Sequence, residues 1–387
     1  MSNPFQSFSI NLGSYTTAVD VHREKTHLLA LLEQGRWSQA EQEARALTQR
    51  APGTALGWQV LGVSLHRQGR LDDALPALQQ AAKLAPQDPD AFNNLGALLS
   101  EGEHQQHAQA CFRRALQLQA THIPALKNLI TSLGKTGPHD ELPDLLAHHL
   151  RLEPDNEHVR HQLAMLTGQQ TDSAPAGYVQ QVFDDYADRF DDHLVGELRY
   201  QVPQQLVTWL TAQHPAGRLQ RVLDLGCGTG LVGHHLQGRC EDLIGVDLSA
   251  RMLDKARERG PYTGLHQADV LTHLQATPVD HHDAIVAADV FIYVGKLDAL
   301  MAQARRVLRP GGWLAFSIES MDASHPGASD DVSRGHRLER TGRYTHSPSH
   351  LAELARAHGF TIVRQAEVNL REENRQPVKG ELHLWQR

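Results

Sequence analysis

The stretch Arg221–Gly233, RVLDLGCGTGLVG, ends an apolar run on Asp224 and then sets glycines at positions 226, 228, 230 and 233. Glycine at such spacings lets a backbone pass close to a bound small molecule. Gly228-x-Gly230-x-x-Gly233 matches the dinucleotide fingerprint, so hydride transfer from a nicotinamide is one chemistry on offer. Asp224 argues the other way. Beside a pyrophosphate its carboxylate repels, whereas beside an ammonium it accepts charge-assisted hydrogen bonds, which favours a cationic ligand.

These residues need a frame. From Leu219 onward, β-rich apolar runs alternate with helical patterns, as in a parallel sheet with crossover helices. RVLDL, LIGVDL, GLHQADV, DAIVAADV and GWLAFSIES read as successive strands, with helices starting near Gly230, Ser249 and Lys296. In such a doubly wound fold, ligands bind at the carboxyl ends of the strands. FTIVRQAEVNL and ELHLWQR close the chain as two strands with no helix between them. Upstream, Phe183, Tyr186, Phe190, Leu194 and Leu198 recur at helical spacing on one face, which suits either packing or a helix that closes over a ligand. Turn-rich TGQQTDSAPAG, Thr167–Gly177, breaks the periodicity. The expected organisation is an arm of residues 1–20 that is a candidate for disorder, a helical repeat domain over 21–167, a linker over 168–177 and an α/β domain over 178–387, of which 178–218 form lid helices.

The first half repeats at a 34-residue step: Leu61, Leu95 and Leu129 share one lattice, Ala40, Ala74 and Ala108 another, and Gly35, Gly69 and Gly137 a third, broken at Glu103. Pro52, Pro86 and Pro154 share a fourth, broken at Ala120, and Leu31, Leu65, Leu99 and Leu133 a fifth. This pattern resembles the tetratricopeptide repeat, a helix–turn–helix unit that stacks into a solenoid. Four repeats are expected up to Asp155, the last degenerate at Leu142 and His149, with NEHVRHQLAMLTG as the capping helix. The resemblance implies a groove for a peptide, a protein partner or a second subunit.

Asp224-x-Gly226-x-Gly228-x-Gly230 resembles motif I of the class I methyltransferases that use S-adenosylmethionine. The resemblance implies that Asp224, Gly226, Cys227, Gly228 and Gly230 run along the methionine part of the cofactor. It places Asp247 on both ribose hydroxyls, Asp269 on the adenine amino group and Val270 against the ring. Leu248, Met252 and Ala288 complete the wall, and Tyr186 and Phe190 cover it. VLRPGGWLAF matches the turn before the fifth strand, and the fold implied is a mostly parallel seven-stranded sheet with an antiparallel last strand. FDDYADRFDDHL, ADVFIYVGKL, GRYTHS and LREENRQPVKGEL extend the likeness to methyltransferases that carry tetratricopeptide repeats in front.

A sulfonium methyl is already activated, so the protein must position, exclude water and, for a weak nucleophile, remove a proton. His346 is the leading base candidate, followed by Tyr293 and Asp289. Tyr200, Arg343, Tyr344 and Arg371 are candidate substrate contacts, with Glu372 on the same face. Bland readings stand beside these: Asp289 as a helix cap, Tyr293 as core, and the insert SMDASHPGASDDVSRGHRLERTGRYTHSPSH as a solvated loop. The resulting expectation is methyl transfer to nitrogen or oxygen of a peptide or protein engaged by the repeats. The alternatives are a small carboxylate or amine acceptor with the repeats used for oligomerisation, a nicotinamide oxidoreductase, and a non-catalytic repeat scaffold.

Composition excludes some partners. A net charge of −8 without a basic block does not suit nucleic acid. No uncharged apolar run reaches the roughly 18 residues of a membrane span, and the N-terminal residues do not read as a signal peptide. Cys111, Cys227 and Cys240 form neither a disulfide framework nor a metal-ligand spacing, and the 25 histidines are scattered. A cytoplasmic enzyme without a metal is the expectation.

Overall fold

A computed structural model describes residues 19–102, 104–137, 139–188, 190, 200–213, 218–321, 334–373 and 376–387. The chain divides into two compact units, Met1–Val159 and Arg160–Arg387. Leu194 and Leu198 of the expected helix face, and most of the N-terminal arm, lie outside the described residues.

The first unit is helical. Helices α1 (Val19–Glu33), α2 (Trp37–Arg50), α3 (Ala55–Arg67), α4 (Leu71–Leu84), α5 (Pro89–Leu99), α6 (Gln105–Leu118), α7 (Ile123–Thr136) and α8 (Leu142–Leu152) follow in order, each packed on the next. Helices α3, α5 and α7 start at Ala55, Pro89 and Ile123, keeping the 34-residue step. The small-residue lattices have a steric cause. Ala40, Ala74 and Ala108 are fully buried, and a Cβ on Gly62 would stand 2.5 Å from Leu78, so only glycine admits the partner helix there.

The unit boundary falls inside α9 (Glu157–Thr167), upstream of the expected linker. Within the second unit the His161 ring lies 4.9 Å from that of Tyr178, and Ala164 packs with Ala174, Leu338 and Tyr344. The stretch expected as a tether is hydrogen-bonded: Ala174 N–H donates to Tyr293 O at 3.0 Å and Lys296 N–H to Asp172 O at 2.8 Å. Helix α10 (Ala176–Tyr186) follows, and α11 (Val202–Ala212) leads into the sheet.

Strands β1 (Leu219–Leu225), β2 (Cys240–Asp247), β3 (Gly264–Gln267), β4 (His282–Ala287) and β5 (Leu308–Ser320) are parallel in the order β3-β2-β1-β4-β5. Between them run α12 (Leu231–Leu236), α13 (Ala250–Arg259), α14 (Val270–Ala276) and α15 (Asp298–Val307). Two short strands, β6 (His336–Leu338) and β7 (Tyr344–His346), and the start of α16 (Pro348–Ala357) form within the described part of the insert whose bland reading is a solvated loop, residues 322–333 lying outside the described residues. The chain ends with β8 (Thr361–Glu373) and β9 (Gln376–Gln386), and β9 lies antiparallel to both β5 and β8. Among the described residues the sheet therefore has nine strands, the expected seven plus the β6–β7 pair extending from the end of β5.

Alternation splits the apolar residues into two cores. Leu223, Ile285, Leu314, Phe316 and Trp385 face α15 and α16, whereas Val222, Val286, Ala315, Leu382 and Leu384 face α11 and α12. With both faces covered, the functional groups of this unit gather at the strands' carboxyl ends.

Candidate active site

The turn after β1 is built on Gly226, Gly228 and Gly230 at φ 62°, 53° and 87°, conformations that favour glycine. The turn is fixed from the next strand end: Asp247 Oδ2 accepts Gly228 N–H and Oδ1 accepts Ser249 N–H, both at 2.9 Å. Burial pushes the Asp247 carboxyl up, against the pull of these backbone N–H groups. The carboxylate, which also receives the Leu248 N–H, retains acceptor capacity for a ligand hydroxyl. Asp269 caps α14, its Oδ1 accepting Thr272 N–H at 2.9 Å, a structural role in addition to the one expected; its other oxygen is not used by that bond.

A cavity of about 540 Å³ lies at these strand ends, lined by Tyr186, Phe190, Gly226, Gly228, Asp247, Leu248, Asp269, Val270 and Ala288. Four residues expected along the cofactor are not on its wall. Asp224 is fully buried behind the loop, accepting the Tyr262 hydroxyl at 2.6 Å through Oδ2. Cys227 packs with Leu253 and Ala256, Gly230 serves as the N-terminal cap position of α12, and Met252 is fully buried. Among the described residues Asp224 Oδ1 has no hydrogen-bond partner, and burial pushes the carboxyl up to about 7. A cation at the glycine turn would relieve that charge, and a pyrophosphate would aggravate it.

The far end of the cavity is lined by Tyr200, Asp289, Tyr293, Arg343, Arg371 and Glu373. Asp289 sits just beyond β4 at φ 55°, a conformation uncommon outside glycine, held by a reciprocal pair in which its N–H donates to Ser317 Oγ and Ser317 Oγ–H donates to its Oδ1, both at 2.8 Å. Its Oδ2 accepts Arg371 Nη1 at 2.8 Å. Arg371 also bonds Glu373 through Nε at 2.7 Å and Glu319 through Nη2. Arg343 bridges the same acids, with Nε 2.8 Å from Glu319 and Nη2 2.8 Å from Glu373. Glu373, rather than the adjacent Glu372, is the acid on the cavity wall. Glu319 and Ser317 were legible only as polar residues at alternate positions of an apolar strand.

His346 and Tyr344 are corrected by their burial. His346 is 1% exposed and absent from the cavity wall, with Nε2 2.9 Å from Val294 O. Tyr344 is fully buried, its hydroxyl 2.6 Å from Thr171 Oγ1. Both belong to β7, whose pairing with β5 and β6 turns them into the interior. Burial pushes His346 down to about 4 from 6.5, so its stabilising contribution is complete above the unfolded value and is lost as pH falls through 6.5 toward 4. That loss amounts to about 3 kcal/mol. His346→Gln is expected to flatten the decline of urea stability over this range by one proton's worth. An unchanged slope would show that His346 already carries charge in the native state.

The aromatic row covers the opposite wall. Phe183 meets Tyr293 edge-on at 5.4 Å and Tyr186 meets Phe190 at 5.3 Å. Asp184 accepts the Ser249 hydroxyl at 2.5 Å, tying α10 to the start of α13. Tyr186→Phe keeps the ring contacts and removes the hydroxyl. The expected result is about tenfold weaker binding of S-adenosylhomocysteine, roughly 1.4 kcal/mol, with an unaltered ligand-free Tm. Calorimetric affinity within twofold of wild type would leave the ring as a cover only.

Two family models match the chain: a methyltransferase domain over residues 223–316 and a tetratricopeptide repeat over 26–89 and 67–123. The chain thus joins tetratricopeptide repeats to a class I methyltransferase domain. Among curated proteins it is 28% identical over 130 residues to the ubiquinone biosynthesis O-methyltransferase of Bordetella avium, covering 32% of this chain and 50% of that one. It is 33% identical over 116 residues to the malonyl-acyl-carrier-protein O-methyltransferase of Enterobacter lignolyticus, covering 30% and 45%. It is 38% identical over 114 residues to the trans-aconitate 2-methyltransferase of an Azoarcus species, covering 28% and 43%. The match spans half or less of each of these relatives. Among solved structures, the 1,6-didemethyltoxoflavin N1-methyltransferase of Burkholderia thailandensis is similar at a TM-score of 0.42 and 18% identity, covering 56% of this chain and 92% of that one. No helix among the described residues is long and apolar enough to cross a membrane.

Proposed function

We propose that this chain transfers a methyl group from S-adenosylmethionine to an oxygen or nitrogen of an acceptor placed at the Arg343–Arg371 end of the cavity. The observation that carries this reading is the set of strand-end groups around one cavity: a left-handed glycine turn, Asp247 with both oxygens oriented by backbone N–H bonds, and Asp269. The unpartnered, buried Oδ1 of Asp224 favours a cationic cofactor over a dinucleotide. The cofactor supplies an electrophilic methyl on its sulfonium. Asp247 would hold its ribose, Asp269 its adenine amino group and Val270 its ring, while Tyr186 and Phe190 exclude water. Asp289, fixed by Ser317 and Arg371, keeps the acceptor end in a single geometry.

Titration calorimetry of the full chain tests the assignment: S-adenosylhomocysteine is expected to bind at micromolar Kd and NAD+ not at all. The reverse would make the domain a nicotinamide site, and binding of neither would leave a scaffold. The repeats are proposed to engage a polypeptide acceptor or a protein partner, a role that solenoid grooves suit. A chain starting at Glu157 should then bind S-adenosylhomocysteine yet lose transfer to polypeptide. Full transfer by the shorter chain would assign the repeats to oligomerisation.

A further inference from the structure

The carboxylates at the acceptor end, Asp289 and Glu373, are each paired with a guanidinium. Both oxygens of Asp289 are engaged, by Ser317 and by Arg371. Both oxygens of Glu373 are engaged as well, by Arg371 and Arg343, which outweigh burial and hold its carboxyl below the usual range. Burial pushes the phenols of Tyr200 and Tyr293 well up, and His346 lies off the wall. Among the described residues on this wall there is no imidazole, and each of the two carboxylates is paired with a guanidinium. Such a wall suits an acceptor that arrives with its lone pair already available.

Beyond Arg343 lies a second chamber of about 1260 Å³, which shares Arg343 and Glu373 with the first. Among the described residues its cations are Arg334, Arg337, Arg340, Arg343 and Lys379. Its carboxylates are Glu319, Glu339 and Glu373, and each is held by a guanidinium: Glu339 by Arg337 Nε at 2.7 Å, Glu319 by Arg371 and Arg343, and Glu373 by the same two. Arg340 and Lys379 are exposed and form no ion pair with a described residue. In a chain of net charge −8, the excess of cations over carboxylates among the described lining residues favours anions. Arginine adds planar recognition of carboxylates.

Resting on the methyltransferase reading above, we propose that the acceptor is a carboxylate on a molecule with at least one further anionic group. The body of the molecule sits in the basic chamber, and its reacting carboxylate passes Arg343 to meet the methyl group. A carboxylate oxygen lone pair forms the new C–O bond as the S–CH3 bond breaks, and that bonding pair stays on sulfur. The products are a methyl ester and the neutral thioether, with no proton released. This balance suits a wall whose carboxylates are each paired with a guanidinium. The same carboxylate chemistry is available from a free polycarboxylic acid or from an acidic side chain of a polypeptide.

The test uses the full chain saturated with S-adenosylhomocysteine and titrated with citrate in one arm and hexaglutamate peptide in the other. At least one should bind, and Arg340→Glu with Lys379→Glu should weaken it tenfold or more while leaving S-adenosylhomocysteine affinity unchanged. The arm that binds identifies the source. In parallel, methyl-tritiated cofactor is incubated with the chain and cell extract, and labelled products are treated with mild alkali. Release of label as volatile methanol is expected, from the polypeptide fraction or from small molecules according to source. Alkali-stable label, no transfer, no binding of either probe, or binding indifferent to the charge reversals would each overturn the proposal. Loss of S-adenosylhomocysteine binding in the unmodified chain would instead defeat the methyltransferase reading itself.

Discussion

Asp247→Ala is expected to weaken S-adenosylhomocysteine binding by about 2–4 kcal/mol, roughly thirty-fold to several-hundred-fold. The carboxylate acts twice. It would accept both ribose hydroxyls, and its two oxygens already orient Gly228 N–H and Ser249 N–H. Alanine therefore removes a charged acceptor from a site where it is 9% exposed and also releases the glycine turn. Because a buried N–H loses its partner, the ligand-free domain should also lose about 1–3 kcal/mol. Calorimetry on the folded variant separates the two effects, with circular dichroism as the check on folding. Affinity within threefold of wild type would remove Asp247 from the cofactor site.

The second large effect is on stability. Arg371 is only 4% exposed and contacts Asp289, Glu319 and Glu373. Arg371→Met keeps much of the volume, leaves Glu319 and Glu373 sharing Arg343 and leaves Asp289 with the Ser317 hydroxyl, a loss of about 3–5 kcal/mol at neutral pH. The pH dependence has a defined sign. In the native protein burial already outweighs the two guanidiniums at Glu319 and pushes its carboxyl up. A carboxyl raised above its unfolded value is stabilising at low pH and loses that contribution as pH rises through the folded value. Removing Arg371 raises it further, so the variant should lie closest to wild type near pH 5 and fall away toward pH 8. Glu373 behaves oppositely in the native protein: held below its usual value, it contributes above the unfolded pKa and loses that as pH falls. Urea denaturation at both pH values checks this, and Arg371→Lys should recover part of the loss. A deficit under 1 kcal/mol that does not vary with pH would mean that the network is solvated.

What the amino-acid sequence determined by itself was whatever repeats or follows from local backbone chemistry. The lattice of Ala40, Ala74 and Ala108 is legible because each repeat must admit its neighbour's helix at the same place. The parallel strands are legible because two buried faces demand continuous apolar runs, and the cofactor turn because left-handed backbone at 226, 228 and 230 calls for glycine. Tertiary structure alone decided which polar side chains face the cavity. His346 and Arg343 lie three residues apart, and β7 pairing buries the first while the second reaches the wall. Asp224 keeps its position in the motif but turns behind the loop to Tyr262, 38 residues along the chain. The Asp289–Arg371 pair joins residues 82 apart, brought together because β9 inserts between β5 and β8. Side-chain direction on a strand reverses with every residue, so a charge network assembled from four strand ends depends on registers that only long-range pairing sets.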